Sequence, residues 1–411
     1  MKKYFNIWVL GTLSLYYFGP IPWSGQSSYT VLILVLSCLA LFNLGSVVGT
    51  NSKKEIWHFS SLSKLDSPNT ALIVLFTYAV LFTIHLQMVS GKFLLNPSSW
   101  SLNFGEVYIS YIETVTSRGP NSLITYIFLV AKALLFPLFI YIFFRYYKEK
   151  PLLAFTVLFF FIASSFMRGT DKESIDAAFM LIVVMYLHGN LRKVFVLGTL
   201  STPILLYLFV ARKLGRLGGN YPDCLPDSEV CFNYNSYWAE TFGPSFEVGR
   251  VMLTHYITNG YEGLHLATNL PFDFNYGLGH LTPLKNAICS LTGLGCELNS
   301  YNLKLLEIGW NTDFRWVSAY TYLANDLSWI LVPLYFLFVG YIYSIAENQW
   351  QKKKTPSASV TIFLVALLFL YSSANMQIAI SMDWVFTTFL FLYIPMIRSI
   401  VSIKTSRTQV A

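Results

Sequence analysis

Three groups of residues in this sequence have the types and spacing to do chemistry. The first is the run Arg250-Val-Met-Leu-Thr-His255-Tyr-Ile-Thr-Asn-Gly260-Tyr-Glu262, which gathers a cation, an imidazole and a carboxylate on one short stretch. Either His255 or Glu262 can take a proton from an attacking hydroxyl, the work of a general base. The plain alternative is a loop histidine bonded to backbone and a solvated loop acid. Asp313 is the next carboxylate able to take that role. The second group is cationic: Arg168 and Lys172 in a tight turn, Arg212, Lys213 and Arg216 at the end of an apolar run, then Arg250 and Arg315. Guanidinium forks match phosphate oxygens bidentately, so these positions suit an anion such as a pyrophosphate. Against that stands simple pairing of Arg168 with Asp171 or Asp176 in the same turn. The third group is Lys132 and Asp326, ionisable residues inside apolar runs. Charge there is costly and turns toward a partner or a wet cavity, so a Lys132–Asp326 pair is one expectation. His85 reads equally well as a helix-packing residue.

Some chemistries find no support. Metal ligands at recognisable spacing are missing, as are a Walker-type phosphate loop and a Gly-x-Ser-x-Gly elbow. ATP-driven transport and serine hydrolysis are therefore not indicated, and no cofactor or metal is expected.

The elements that must hold these residues follow from composition. Hydrophobic residues make up 55% of the chain and charged residues 12%, against roughly 25% charged in soluble domains. So few charges cannot cover a water-facing surface, and the solvent this chain suits is lipid. The net charge of +7 falls mostly in short stubs between apolar runs. It therefore orients the chain in a bilayer and does not mark a nucleic-acid partner. Spanning hydrocarbon takes about 20 apolar residues. Candidate runs are 5–20, 29–48, 69–90, 121–144, 151–167, 174–189, 194–211, 317–345, 357–374 and 384–401. The expected fold is an all-α polytopic membrane protein with about ten transmembrane helices. The fifth and sixth form a tight hairpin around Arg168–Glu173. Lys2 and Lys3 before the first run imitate a secretory signal, but no small-residue cleavage site follows, so the run is expected to stay as an uncleaved helix.

Alternating the runs from an inside N-terminus places Lys2 and Lys3; Lys53, Lys54 and Lys64; Arg145, Lys148 and Lys150; Arg192 and Lys193; Lys352, Lys353 and Lys354; and Arg398, Lys404 and Arg407 on the inner side. The short outer segments receive only Lys92, Arg118, Arg168 and Lys172. This asymmetry puts both termini in the cytoplasm. The chain then divides into helices over 1–211, a large outer loop over 212–316, and helices over 317–411. Tyr221, Phe232, Tyr234, Tyr237, Trp238, Phe242 and Phe246 make the loop too aromatic for disorder, and 246–258 suits a helix lying in the interface. A smaller outer segment, 91–120, carries Trp100, Phe104, Val107, Tyr108 and Tyr111. Cys38 sits in a membrane run as a packing residue. Cys224, Cys231, Cys289 and Cys296 all fall in the large loop, on the side where a bacterial periplasm oxidises thiols. Four cysteines allow three connectivities, and the local pairs Cys224–Cys231 and Cys289–Cys296 are favoured.

Gly260-Tyr-Glu-Gly-Leu264, then Pro271-Phe and Tyr276-Gly-Leu-Gly279, then Trp310-Asn-Thr-Asp-Phe, Trp316 and Leu323-Ala-Asn-Asp326 resemble the bacterial oligosaccharide repeat-unit polymerases, the Wzy family. The short motifs span roughly 250–330; elsewhere the similarity is one of hydropathy and architecture. The resemblance implies a GT-C-like fold in the bacterial inner membrane. It implies polymerisation of undecaprenyl-pyrophosphate-linked oligosaccharide units at the periplasmic face. The growing glycan would move from its lipid pyrophosphate to the non-reducing end of a new unit. On that view His255 or Glu262 is the base, Arg168, Lys172, Arg212, Arg216 and Arg250 hold the pyrophosphate, and Tyr256 and Tyr261 meet sugar. A chain-length regulator and a flippase would be partners. The Arg-x10-Gly motifs of some relatives are absent, since Arg250 and Gly260 are one residue too close. Two rivals share much of this pattern. An O-antigen ligase differs only in its acceptor, and a transporter or flippase of the lipid-linked unit would use Lys132 and Asp326. Dolichol-phosphate-type transferases put acidic pairs in the first outer loop, and Pro20–Ser28 has no Asp or Glu.

The charge count makes a direct prediction. Reporter fusions after residues 53, 148 and 353 should read cytoplasmic, and fusions within 220–300 periplasmic. A cytoplasmic signal from 220–300 would invert the whole arrangement.

Overall fold

The computed structural model describes residues 1–50, 52, 62–94, 96, 107, 110, 113, 123–216, 221–225, 230–292, 299–312 and 315–399. Lys53, Lys54, Trp100, Phe104, Tyr108, Tyr111, Arg118, Cys296, Asp313, Lys404 and Arg407 lie outside them. Among the described residues the protein is helical, and the sole extended pairing is an isolated bridge between Cys224 and Cys231. In chain order the helices begin with α1 (Lys2–Phe18), α2 (Thr30–Thr50), α3 (Pro68–Ser90), α4 (Leu123–Tyr146), α5 (Pro151–Arg168), α6 (Lys172–Leu187) and α7 (Leu191–Arg216). There follow α8 (Tyr237–Phe242), α9 (Pro244–Thr268), α10 (Thr282–Thr292), α11 (Tyr301–Glu307), α12 (Ala319–Lys353), α13 (Pro356–Tyr371) and α14 (Met382–Thr388). They gather into two compact units. The first takes Met1–Pro68, Phe136–Arg145 and Tyr256–Ala411; the second takes Asn69–Leu135 and Tyr146–His255.

In the first unit α13 is apolar all round and buried from Ser357 to Phe369, as a helix enclosed by others must be. Around it α2 and α12 make the closest crossing. Gly45 and Gly49, four apart on α2, meet Gly340 and Ser344, four apart on α12. A Cβ at Gly45 would overlap the Leu337 carbonyl oxygen, and one at Gly340 the Phe42 carbonyl oxygen. In lipid the hydrophobic effect does not join helices, so backbone-to-backbone packing through small residues does. Thr50 Oγ1 and Ser344 Oγ meet across the crossing at 3.0 Å. The Asn6 and Asn43 amides exchange bonds of 3.3 and 3.1 Å between α1 and α2. Phe42 meets Phe369 edge-on at 4.6 Å, and Phe5 stacks on Phe369 at 5.0 Å.

α12 is broken at Ser328, whose φ of 57° and ψ of 163° are not helical. The cause is five residues on: Pro333 has no N–H for the Trp329 carbonyl, and its ring crowds that oxygen. A left-handed serine costs on the order of 1–3 kcal/mol, so the surrounding packing has to hold it.

In the second unit α5 and α6 form the expected hairpin. Gly169 ends α5 at φ 63°, and Thr170 N–H donates to the Ser165 carbonyl at 3.0 Å. A glycine takes this left-handed C-terminal position without a Cβ clash. Tyr78 and Phe82 of α3 set their ring edges against Phe160 of α5 at 6.0 and 5.4 Å. The expected interface stretch 246–258 is part of a much longer helix, α9. In the first unit, the run expected at 384–401 is α14 followed by a π-helical turn, Phe389–Tyr393, with helix continuing to residue 399.

Large apolar side chains point outward in both units: Ile33 is 65% exposed, Phe76 71% and Leu152 80%. In water each would forgo about 25 cal/mol per Å² of burial. Among the described residues five helices are long and apolar enough to cross a membrane: Thr30–Thr50, Pro68–Ser90, Ile124–Tyr146, Pro151–Arg168 and Ala319–Lys353. The outward apolar faces and these five helices make this a multi-pass helical membrane protein.

The helix crossing can be tested by adding methyl groups. Gly45→Leu and Gly340→Leu should each cost about 1–3 kcal/mol through overpacking, seen as earlier thermal unfolding in detergent and lower membrane levels. Gly11→Ala, with nothing within 4 Å of the new Cβ, should be neutral or gain up to about 1 kcal/mol.

Candidate functional site

The site is built in the first unit on the loop Asn275-Tyr-Gly-Leu-Gly-His280, between α9 and α10. Tyr276 at φ 55° and Gly277 at φ 79° turn the chain so that successive amides face one point. That point is the Asp326 carboxylate, in the first part of α12. Gly277 N–H and Gly279 N–H donate to Oδ1 at 2.9 and 3.2 Å, and His280 N–H donates to Oδ2 at 2.9 Å. His280 Nδ1 lies 2.6 Å from Oδ2. The neighbouring Asn325 pins the same loop. Its carbonyl accepts from Asn275 N–H and Nδ2 at 3.3 and 3.0 Å. Its Oδ1 accepts from Tyr301 N–H at 2.7 Å, fixing the start of α11.

An acid bonded to Nδ1 makes that nitrogen the N–H and leaves Nε2 as the proton acceptor. Nε2 has no partner among the described residues, and the His280 side chain is 17% exposed. The arrangement is an acid–imidazole dyad, able to take a proton at Nε2 while the carboxylate steadies the resulting imidazolium. Beside it, Gly279 also lines a cavity of about 200 Å³ between this loop, α10 and α11. Asp273, at the loop's approach, holds Lys304 at 2.7 Å.

The residues singled out by sequence distribute differently. Glu262 is buried and accepts from Tyr16 Oη at 2.8 Å, Gly25 N–H at 3.1 Å and Ser24 Oγ. With three donors on it, this carboxylate is a strut tying α9 to α1 and the turn after it. Tyr261 is fully buried with its hydroxyl 3.0 Å from Thr12 Oγ1, and burial raises its phenol above the ordinary value. It has no free face for a sugar. Tyr256 sets its ring edge-on to Trp316 at 4.7 Å. The boundary between units falls after His255, which is buried in the second unit. Lys132 also belongs to the second unit, and Asp326 is held by the loop.

The cations are largely committed. Arg250 makes a bidentate pair with Glu247, Nε–Oε2 2.9 Å and Nη2–Oε1 2.8 Å. Glu247 is fully buried and also accepts from Asn233 N–H at 3.4 Å and Ser236 Oγ at 3.2 Å. Arg168 pairs with Glu173 at 2.6 Å, because the turn brings the first residues of α6 under it. Lys172 adds positive charge at that same carboxylate. Lys213 faces Asp171 at 3.8 Å. Lys92 donates to the Met167 carbonyl at the end of α5, 2.8 Å away. Arg315 covers the Trp310 ring at 4.8 Å. Arg212 and Arg216 are helical in backbone, with side chains outside the described ones. A disulfide joins Cys224 to Cys231, Cys289 is disulfide-bonded, and Cys38 is a buried free thiol.

The residue that sequence reasoning missed is His280. Its signal is its place directly after Tyr276-Gly-Leu-Gly279, where the turn that the glycines allow ends on an imidazole. Among the described residues no cluster of His, Cys, Asp or Glu is placed to hold a metal ion. No protein-family model, curated protein or solved structure matches the chain.

The Arg250–Glu247 pair separates support from ligand binding. Arg250→Ala leaves a buried carboxylate without its cation and should cost about 3–5 kcal/mol, read as a lower unfolding temperature in detergent. Unchanged stability with lost activity would instead return Arg250 to a ligand-binding role.

Proposed function

We propose that this protein polymerises undecaprenyl-pyrophosphate-linked oligosaccharide units at the periplasmic face of the bacterial inner membrane. It would span the membrane about ten times in a GT-C-like arrangement with both termini cytoplasmic. A flippase would supply its units, and a chain-length regulator would set the extent of growth. The observation that carries this reading is the His280–Asp326 dyad, Nδ1 to Oδ2 2.6 Å, beside a cavity that Lys285 and Asn302 help to line. The charge pattern supports it too. Lys352 and Lys353 close α12 at one end, and under the positive-inside rule this favours a periplasmic position for Asp326, near the other end. The Cys224–Cys231 disulfide fits that oxidising side.

The chemistry needs a base and a leaving group. His280 Nε2 takes the proton from the acceptor sugar's hydroxyl. That oxygen bonds to the anomeric carbon of the donor glycan as the carbon–oxygen bond to the lipid pyrophosphate breaks. The bonding pair leaves on the pyrophosphate, and the proton remains on the imidazolium until solvent removes it. Asp326 positions the ring and balances the imidazolium charge. The base thus moves from His255 or Glu262 to His280, because Glu262 is spent on three donors and His280 keeps a nitrogen open.

A base contributes about 10²–10⁴-fold in rate. His280→Ala should therefore collapse the surface-glycan ladder to single repeat units at normal membrane levels of protein, with partial recovery by added imidazole in a membrane assay. Asp326→Asn should weaken activity in the same direction. A full ladder from His280→Ala rejects the dyad. Polymer accumulating on undecaprenol would mark a ligase, and loss of single units as well would mark a flippase.

A further inference from the structure

The cavity beside Gly279 holds a set of protein groups left unspent. Its wall includes Thr282, Lys285, Ser300 and Asn302, with Leu303 and Leu306 on one side. Among the described residues the Lys285 ammonium has no acceptor, and the Thr282 and Ser300 hydroxyls have no partner. Asn302 donates through Nδ2 to Tyr322 Oη at 3.4 Å, yet its Oδ1 is buried with no donor. An unsatisfied buried acceptor typically costs about 1–3 kcal/mol, and Asn302 Oδ1 carries that cost here, while the part-exposed Lys285, Thr282 and Ser300 line the same space with their polar groups unpaired among the described residues. Elsewhere the chain spends its cations: Lys304, on the same helix as Asn302, is held by Asp273 at 2.7 Å.

We propose that this cavity is a subsite for one acidic sugar residue of the glycan, with Lys285 meeting its carboxylate. The sugar class rests on the polymerase reading; the remainder comes from the cavity. At about 200 Å³ it is smaller than the roughly 300–1,000 Å³ of drug-sized sites, which suits a single ring. The leucines offer an apolar wall to the ring's C–H face. The two hydroxyls and the Asn302 oxygen match sugar hydroxyls, which donate as well as accept. A bare phosphate fits less well, because it has oxygens to accept with and nothing to give Asn302 Oδ1. Lys285 is a point charge, so charge rather than a bidentate fork is what it reads. Since Gly279 both lines the cavity and donates to Asp326, a sugar seated here lies next to the dyad and selects which unit is joined.

The full-length protein in lipid nanodiscs can be probed by saturation-transfer NMR with glucuronate and with glucose, and by phosphorus line broadening with inorganic phosphate. Glucuronate should bind more tightly than glucose. Lys285→Gln should weaken glucuronate by roughly tenfold, the scale of one hydrogen bond to a charged group, leave glucose unchanged and keep the unfolding temperature. Lys285→Arg, which retains the charge, should keep the preference. The proposal falls if glucuronate does not bind, if Lys285→Gln leaves its affinity intact, or if phosphate binds as well and competes with it. His280→Ala separates the two ideas: that protein should still bind glucuronate. Binding that fails beside a normal polymer ladder removes the subsite alone, whereas binding that persists when His280→Ala polymerises normally removes the dyad alone.

Discussion

A carboxylate in an apolar helix has to be surrounded by donors, and Asp326 is the group around which the site is arranged. Three backbone N–H groups and one imidazole nitrogen converge on it. Satisfying it determines where the loop 275–280 lies, which nitrogen of His280 faces outward, and which wall closes the cavity. The adjacent Asn325 extends the same logic to α11. A buried polar network of this kind is stable only when every member is matched, so the loop has little freedom to lie elsewhere.

The helix carrying Asp326 is itself fixed by two features of its sequence. Pro333 breaks it at Ser328, two residues past the acid, which frees backbone just where the site forms. Farther along, Gly340 and Ser344 lock it against Gly45 and Gly49 of α2. The crossing serves as the rigid frame and the broken segment as the functional end. The strain at Ser328 sits beside chemistry, which is where structures commonly tolerate it.

Charge is managed the same way in the second unit. Glu247 and Glu173 are acids placed under Arg250 and Arg168, and Asp171 faces Lys213. Of the basic residues that look like a row of free anion receptors in sequence, Arg168, Lys213 and Arg250 are each half of a pair. Removal from water demands this, since an unpaired buried ion costs several kcal/mol.

Apolar composition and run length alone determined that this is a helical chain suited to lipid, because hydrophobicity over about 20 residues is a local property. They also placed the α5–α6 hairpin, whose turn is written in Gly169. The approximate extent of α13 was legible for the same reason. The small-residue spacing Gly45-x-x-x-Gly49 gains its meaning only from its partner on α12. What the sequence could not decide was the state of each polar side chain. Glu262 and His280 are both plausible bases as letters. Glu262 proved to be spent because Tyr16, Ser24 and Gly25, from the other end of the chain, fold onto it. His280 proved open because Asp326, 46 residues away in sequence, takes one of its nitrogens and leaves the other. Whether a titratable group is a strut or a reagent depends on which donors reach it, and those donors are brought together only by tertiary packing.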